Sequence, residues 1–147
     1  MELQGKFVVK RPCEAVYRFL IDPERFGKIL PDLKSLEVLS PTSFTAVFSV
    51  GISFIRGDME VRFDLIESRE NREARFKGKG LGIGSFVELE TGFQLNPDGE
   101  GTEVSWRGVA QIGGRLAAAA GGLLQPVAAK NANVFIAALK AQIERTV

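Results

Sequence analysis

The sequence predicts an α+β fold: a curved, seven-stranded antiparallel sheet, two short helices, and one long C-terminal helix across the concave face. Three observations carry that expectation. Only one long stretch, Gly113 to Val147, has helical periodicity. Upstream of it, from Leu33 onward, apolar residues recur with period two in six successive segments. One more such segment opens the chain, and two short helical patterns separate it from those six.

In the opening segment, Leu3, Gly5, Phe7 and Val9 share one face, with Gln4, Lys6 and Lys10 on the other. That alternation is the mark of a half-buried strand. Pro12 suits the first turn of a helix, and CEAVYRFLI follows with Ala15, Val16, Phe19 and Leu20 on one side. Asp22-Pro23 is a second helix start, and PERFGKIL allows about two turns before Pro31 stops it. The strands that follow place Leu36 and Val38, then Phe44, Ala46, Phe48 and Val50, on inner faces. Met59, Val61, Phe63 and Leu65 come next, opposite Asp58, Glu60, Arg62 and Asp64. Ala74 and Phe76, then Val87, Leu89 and Phe93, then Val104, Trp106, Ala110 and Ile112 continue the inner face. Asn96-Pro97-Asp98-Gly99 is a strong turn signal.

On a helical wheel the closing stretch gathers Leu116, Ala120, Leu123, Leu124, Val127, Val134, Phe135 and Ala138 on one face. Its first half is mostly Ala and Gly, and Pro126 stands four residues after Gly122. A proline ring presses on the carbonyl at i−4, so a kink is expected over residues 121–126. The alternative is that these small residues let the helix sit close to the sheet.

Composition narrows the function classes. A chain of 147 residues with 45% hydrophobic content is one ordinary domain, 1–147. A net charge of +1 gives no reason to expect nucleic acid as a partner. Cys13 is the only cysteine, which leaves no disulfide framework and no multi-cysteine metal site. Histidine is absent, and with it the usual general base and the commonest transition-metal ligand. No catalytic residue, metal or cofactor is assigned. Without a secretory signal or a membrane-length apolar run, the chain is expected to be cytoplasmic, or peripheral to the inner face of the membrane.

Gly78, Gly80, Gly82 and Gly84 fit neither a dinucleotide fingerprint nor a phosphate loop, because the spacing is wrong and a strand follows. Gly78 and Gly80 share the inner face, where they leave a hollow or admit the helix closely. Gly82 and Gly84 serve the next turn. The inward aromatics, with Gly78, Gly80, Gly108 and the Ala-rich half-helix, suggest a lined pocket in place of a filled core. Its candidate lining is Phe48, Met59, Phe63, Phe76, Gly78, Leu89, Thr91, Trp106, Leu124, Val127, Asn131 and Phe135. Asn131 lies in the apolar stripe of the helix, where its amide meets a polar head of a ligand or a nearby protein group. Phe26, Leu30, Gly121, Gly122 and Pro126 are candidate gate residues. The strand carboxylates all have outward parity among basic neighbours, the pattern of a solvated face.

Taken together, the chain resembles the helix-grip superfamily of START-like, birch-pollen-allergen-like and polyketide cyclase-like proteins. Within it, the CoxG family of carbon monoxide dehydrogenase subunits is the most similar. The resemblance rests on Leu3 and Gly5, on Asp22-Pro23 leading to Ile29-Leu30-Pro31, and on GKGLGIGS from Gly78 to Ser85. Gly101-Thr102-Glu103-Val104 ahead of Trp106 and the Gly113–Lys130 stretch complete it. That family usually has a glycine after the proline of the second helix, where this chain has Asp32. The resemblance implies non-enzymatic binding of a hydrophobic small molecule, a lipid or quinone-like compound, between sheet and helix. It also implies transient contact with a membrane or an oxidoreductase. The alternatives are a cyclase or dehydratase using the same cavity, and an assembly factor for a carbon monoxide dehydrogenase-like enzyme.

Overall fold

The computed structural model describes residues 1–145. Strand β1 (Glu2–Val9) leads into helix α1 (Cys13–Leu20) and helix α2 (Pro23–Lys28). Six strands follow: β2 (Leu33–Ser40), β3 (Ser43–Ile52), β4 (Ile55–Arg69), β5 (Glu73–Gly82), β6 (Ser85–Asp98) and β7 (Gly101–Gly114). Helix α3 (Arg115–Arg145) closes the fold, and the last two residues of the predicted helical stretch lie outside the described residues. All seven strands join one sheet in the order β1-β7-β6-β5-β4-β3-β2. The two short helices therefore carry the chain from one sheet edge to the other, and the antiparallel meander returns it beside β1.

Local chemistry explains most of these boundaries. Asp22 caps α2, its carboxylate accepting from the backbone N–H groups of Glu24 and Arg25 at 3.0 and 3.3 Å. At the β5–β6 reversal Ile83 and Gly84 both have positive φ, 49° and 67°, the turn geometry that matches strand twist. Gly84 thus serves the turn, as its position in the sequence suggests. Asp32, in the loop before β2, also lies in the left-handed region with φ 61°. Asp tolerates that conformation better than most residues, and glycine tolerates it best. The glycine usual in the resembled family would sit here without strain.

Helix α3 is held at both ends. At its start the Leu116 N–H donates to Ser85 Oγ at 2.9 Å and the Arg115 N–H to the Gly84 carbonyl at 3.0 Å. At its end Glu144 Oε2 accepts from the Lys10 N–H at 2.8 Å, and Arg11 donates to the Ile143 carbonyl at 3.3 Å. Between these anchors the helix breaks at Ala120, whose φ of −130° and ψ of 18° are not helical. The break precedes the expected span of 121–126, and the helix runs on through Pro126. Gly122, the residue on which that proline ring presses, has no side chain to resist it.

The break also corrects the predicted stripe. Leu116 and Ala120 are buried as expected, yet Leu123 and Val134 are exposed, while Leu139 and Ile143 are fully enclosed. A single wheel assumes one uninterrupted phase, and a non-helical residue resets it. Beyond the break the inner face moves round by roughly one residue step of 100°. Gly121 and Gly122 do not bring helix and sheet together: added β-carbons there would meet nothing within 4 Å. Among the described residues no helix is long and apolar enough to cross a membrane.

Candidate functional site

The hollow of the protein begins with a missing side chain. Gly108 on β7 faces the helix between Leu3 of β1 and Thr91 of β6, its partners in register. A β-carbon at Gly108 would meet only Thr91 Oγ1, at 4.0 Å. Across from it the second part of α3 presents Ala128 and Ala132, which are equally small. The result is a cavity of about 200 Å³ between sheet and helix. Leu89, Phe93, Trp106 and Ala110 form its sheet side, Phe135 and Ile136 its helix side, and Met1 and Leu3 lie at its β1 margin. The Thr91 hydroxyl donates to the Arg107 carbonyl at 3.2 Å, so its proton is already committed.

Trp106 is held in place by a second missing side chain. It pairs in register with Gly5 on β1, and the indole lies over that glycine. A β-carbon at Gly5 would come within 2.9 Å of Trp106 Nε1, so the ring has room only because residue 5 is glycine. At the outer margin of the same strand pair Arg107 binds Glu2 at 2.8 Å. That hydrogen bond, with the accompanying charge attraction, holds the Glu2 carboxyl below the ordinary glutamate range and raises the guanidinium. The pair supports the fold above that range and loses its contribution as pH falls through it. Both groups are exposed, so the effect is small and screened by salt.

Of the predicted lining, Leu89, Thr91, Trp106 and Phe135 meet at this cavity. Met59, Phe63 and Phe76 are buried in the main core, with Phe48 packed against it. Gly78 and Gly80 leave no hollow. Leu89 and Phe63 close over the first, at 2.9 and 3.2 Å from an ideal β-carbon, and Val61 over the second at 2.8 Å. Neighbouring strands, not the helix, fill those positions. Leu124, Val127 and Asn131 are half-buried and lie outside the cavity wall, because of the shifted helical phase.

The gate residues part company. Phe26 is 3% exposed and sits at the hub of the aromatic core. Its ring stacks on Phe76 at 4.8 Å and meets Phe135, Phe44 and Phe93 edge-on at 5.4, 6.2 and 6.2 Å. It fills the space that a larger cavity would need. Leu30 is half-buried against the core, whereas Gly121, Gly122 and Pro126 are exposed.

The chemistry available at the cavity is limited. Among the described residues the buried polar side chains are Ser43, Ser85 and Thr102, with no buried carboxylate, lysine or arginine. Glu90 alone brings a carboxylate to the margin, where it is exposed and 3.7 Å from Arg75. Cys13 lies 3.4 Å from the Thr102 hydroxyl, which donates to the Arg11 carbonyl at 2.8 Å. No group of acidic, cysteine or histidine side chains among the described residues could hold a metal ion. A larger depression, about 660 Å³, crosses the outer face of the sheet at Gly92. Arg75 and Arg107 in it are already paired, with Glu67 and Glu90 and with Glu2. It is a wet surface and not an enclosure.

Sequence reading misses Phe93, Ala128, Ala132 and Ile136 as wall residues. The signal is present: Ala128, Ala132, Phe135, Ile136, Leu139 and Ile143 form one stripe when the wheel starts after the break.

Solved structures share this architecture. A conserved protein from Geobacillus kaustophilus matches with a TM-score of 0.86 and 24% identity, over 97% of this chain and 95% of that one. A START superfamily protein from Mycobacterium smegmatis matches at 0.72 and 15%, over 98% and 97%. The Zhui aromatase/cyclase from Streptomyces sp. R1128 matches at 0.70 and 17%, over 99% and 94%. At these identities the likeness is one of fold, the START-like helix-grip fold. No curated protein sequence matches significantly. The family model for the carbon monoxide dehydrogenase protein CoxG matches residues 5–144, and the chain belongs to that family.

Proposed function

We propose that the chain is a non-enzymatic carrier, holding a hydrophobic small molecule, a lipid or quinone-like compound, in the cavity at Gly108. The observation that carries this reading is the almost wholly apolar wall of that cavity. Such a wall attracts apolar groups out of water and offers no shielded acid or base for turnover. The family links the carrier to an oxidoreductase, and a membrane-associated enzyme of the carbon monoxide dehydrogenase kind is the client we assign to it.

At about 200 Å³ the cavity is smaller than the ~300–1,000 Å³ that encloses a drug-sized ligand. A long ligand therefore buries one end against Trp106 and runs out past Met1 and Leu3, or displaces the neighbouring aromatics. The first part of α3 is the door in this reading. It has a break at Ala120, two glycines surrounded by open space, and a proline that removes a helical hydrogen bond. Amide hydrogen exchange should be faster over residues 121–130 than over 136–145. Equal protection in the two halves would mean that α3 contains no door.

The direct test is chemical. The protein purified under native conditions, extracted with organic solvent and analysed by mass spectrometry, is expected to yield a lipid or quinone. Repeated absence of one, together with no uptake of a fluorescent fatty acid, would contradict the carrier function.

A further inference from the structure

One end of the sheet has a character of its own. Three chain reversals meet there: β3–β4 at Ser53-Phe54, β5–β6 at Ile83-Gly84, and the passage from β7 into α3 at Gly114-Arg115. They form one surface. Ile83 packs on Gly57, and the Arg115 N–H donates to the Gly84 carbonyl at 3.0 Å. The segments GISFIRG (51–57), LGIGSF (81–86) and IGGRL (112–116) contain two charged residues, Arg56 and Arg115, and no acid. This is notable in a chain with 18 Asp and Glu side chains. Neither arginine takes part in a salt bridge among the described residues.

The same end carries the most exposed large apolar side chains. Phe54 is 70% exposed, Leu81 73% and Phe86 48%. Leu81 and Phe86 are cross-strand partners on the outer face, and Phe86 lies over Gly113. Large apolar groups held in water on rigid turns mark a docking surface. Their charge context selects the occupant. A second copy meeting this end about a two-fold axis would bring like-charged arginines together. A planar anionic surface receives the protruding turns and pairs with both arginines.

We infer that this end of the sheet docks on anionic phospholipid bilayers, with Phe54, Leu81 and Phe86 entering the interface and Arg56 and Arg115 contacting headgroup phosphates. The surface is separate from the cavity and does not depend on what the cavity holds.

Flotation of the full chain with vesicles tests this. Vesicles of phosphatidylcholine with about one third phosphatidylglycerol should carry the protein, and pure phosphatidylcholine vesicles should carry at least about tenfold less. The double variant Phe54→Ser/Leu81→Ser should lose about tenfold or more of the binding, with an unchanged circular dichroism spectrum. Phe54→Ser alone, at an exposed turn, replaces it if the pair does not fold. Arg56→Glu/Arg115→Glu should abolish the preference for anionic vesicles. The inference is overturned if the native chain floats with neither vesicle or if the serine variants bind as well as it does. Self-association of the native chain in sedimentation, lost in the serine variants, would also overturn it by assigning the patch to a second copy.

Discussion

Replacing Gly108 with leucine is expected to close the cavity and reduce uptake of a fluorescent fatty acid or quinone analogue at least about tenfold. Gly108 is the one inner-face glycine whose β-carbon would project into space, with Thr91 Oγ1 as its nearest neighbour at 4.0 Å. A leucine there can extend between Ala128 and Ala132 without displacing backbone. Because it fills a hollow with apolar atoms, stability should hold or rise by about 1 kcal/mol. That combination separates a binding site from a packing site. Binding lost with stability retained supports the cavity as the ligand site, whereas undiminished uptake would place the ligand elsewhere. Equilibrium titration and guanidinium unfolding of the same variant supply both readings.

Phe26→Ala should have the largest effect on stability of any single change in the aromatic core, a loss of about 3–5 kcal/mol. Phe26 lies on α2, a helix of six residues, yet its ring touches four others drawn from β3, β5, β6 and α3. Truncation removes its own buried surface and leaves an apolar void beside Phe135, which is also a wall of the cavity. Uptake of bulkier ligands should therefore improve even as the denaturation midpoint falls. A loss below about 1 kcal/mol would show that the core closes over the gap and that Phe26 is no hub.

These two residues also show how far local pattern reaches. Strand parity places the inner face correctly from Phe44 through Val104, because period-two alternation survives any bending of the sheet. The turn at Gly84, the capping aspartate before Pro23 and the final helix are legible for similar reasons: each depends on the chemistry of adjacent residues. What is not legible depends on distant ones. Whether an inner-face glycine leaves a hollow is decided by its cross-strand neighbours. Leu89 covers Gly78 and Val61 covers Gly80, whereas Leu3 and Thr91 leave Gly108 bare. Phe26 reads as a gate because its short helix looks peripheral, and only the tertiary packing shows four rings around it. Asn131 and Val127 fall on the inner face only of a wheel that runs through Ala120 as though the helix did not break there.

A carrier of this design holds its apolar ligand in the cavity against Trp106. Trp106 is the only tryptophan in the chain and forms part of the cavity wall, so its fluorescence reports on that space alone. Titration with a fatty acid brominated along its chain, which quenches indole on contact, is the most direct measurement. Saturable quenching is expected in the native protein and little in Gly108→Leu. Native fluorescence that stays unquenched while the fatty acid demonstrably binds would contradict the carrier function at this cavity.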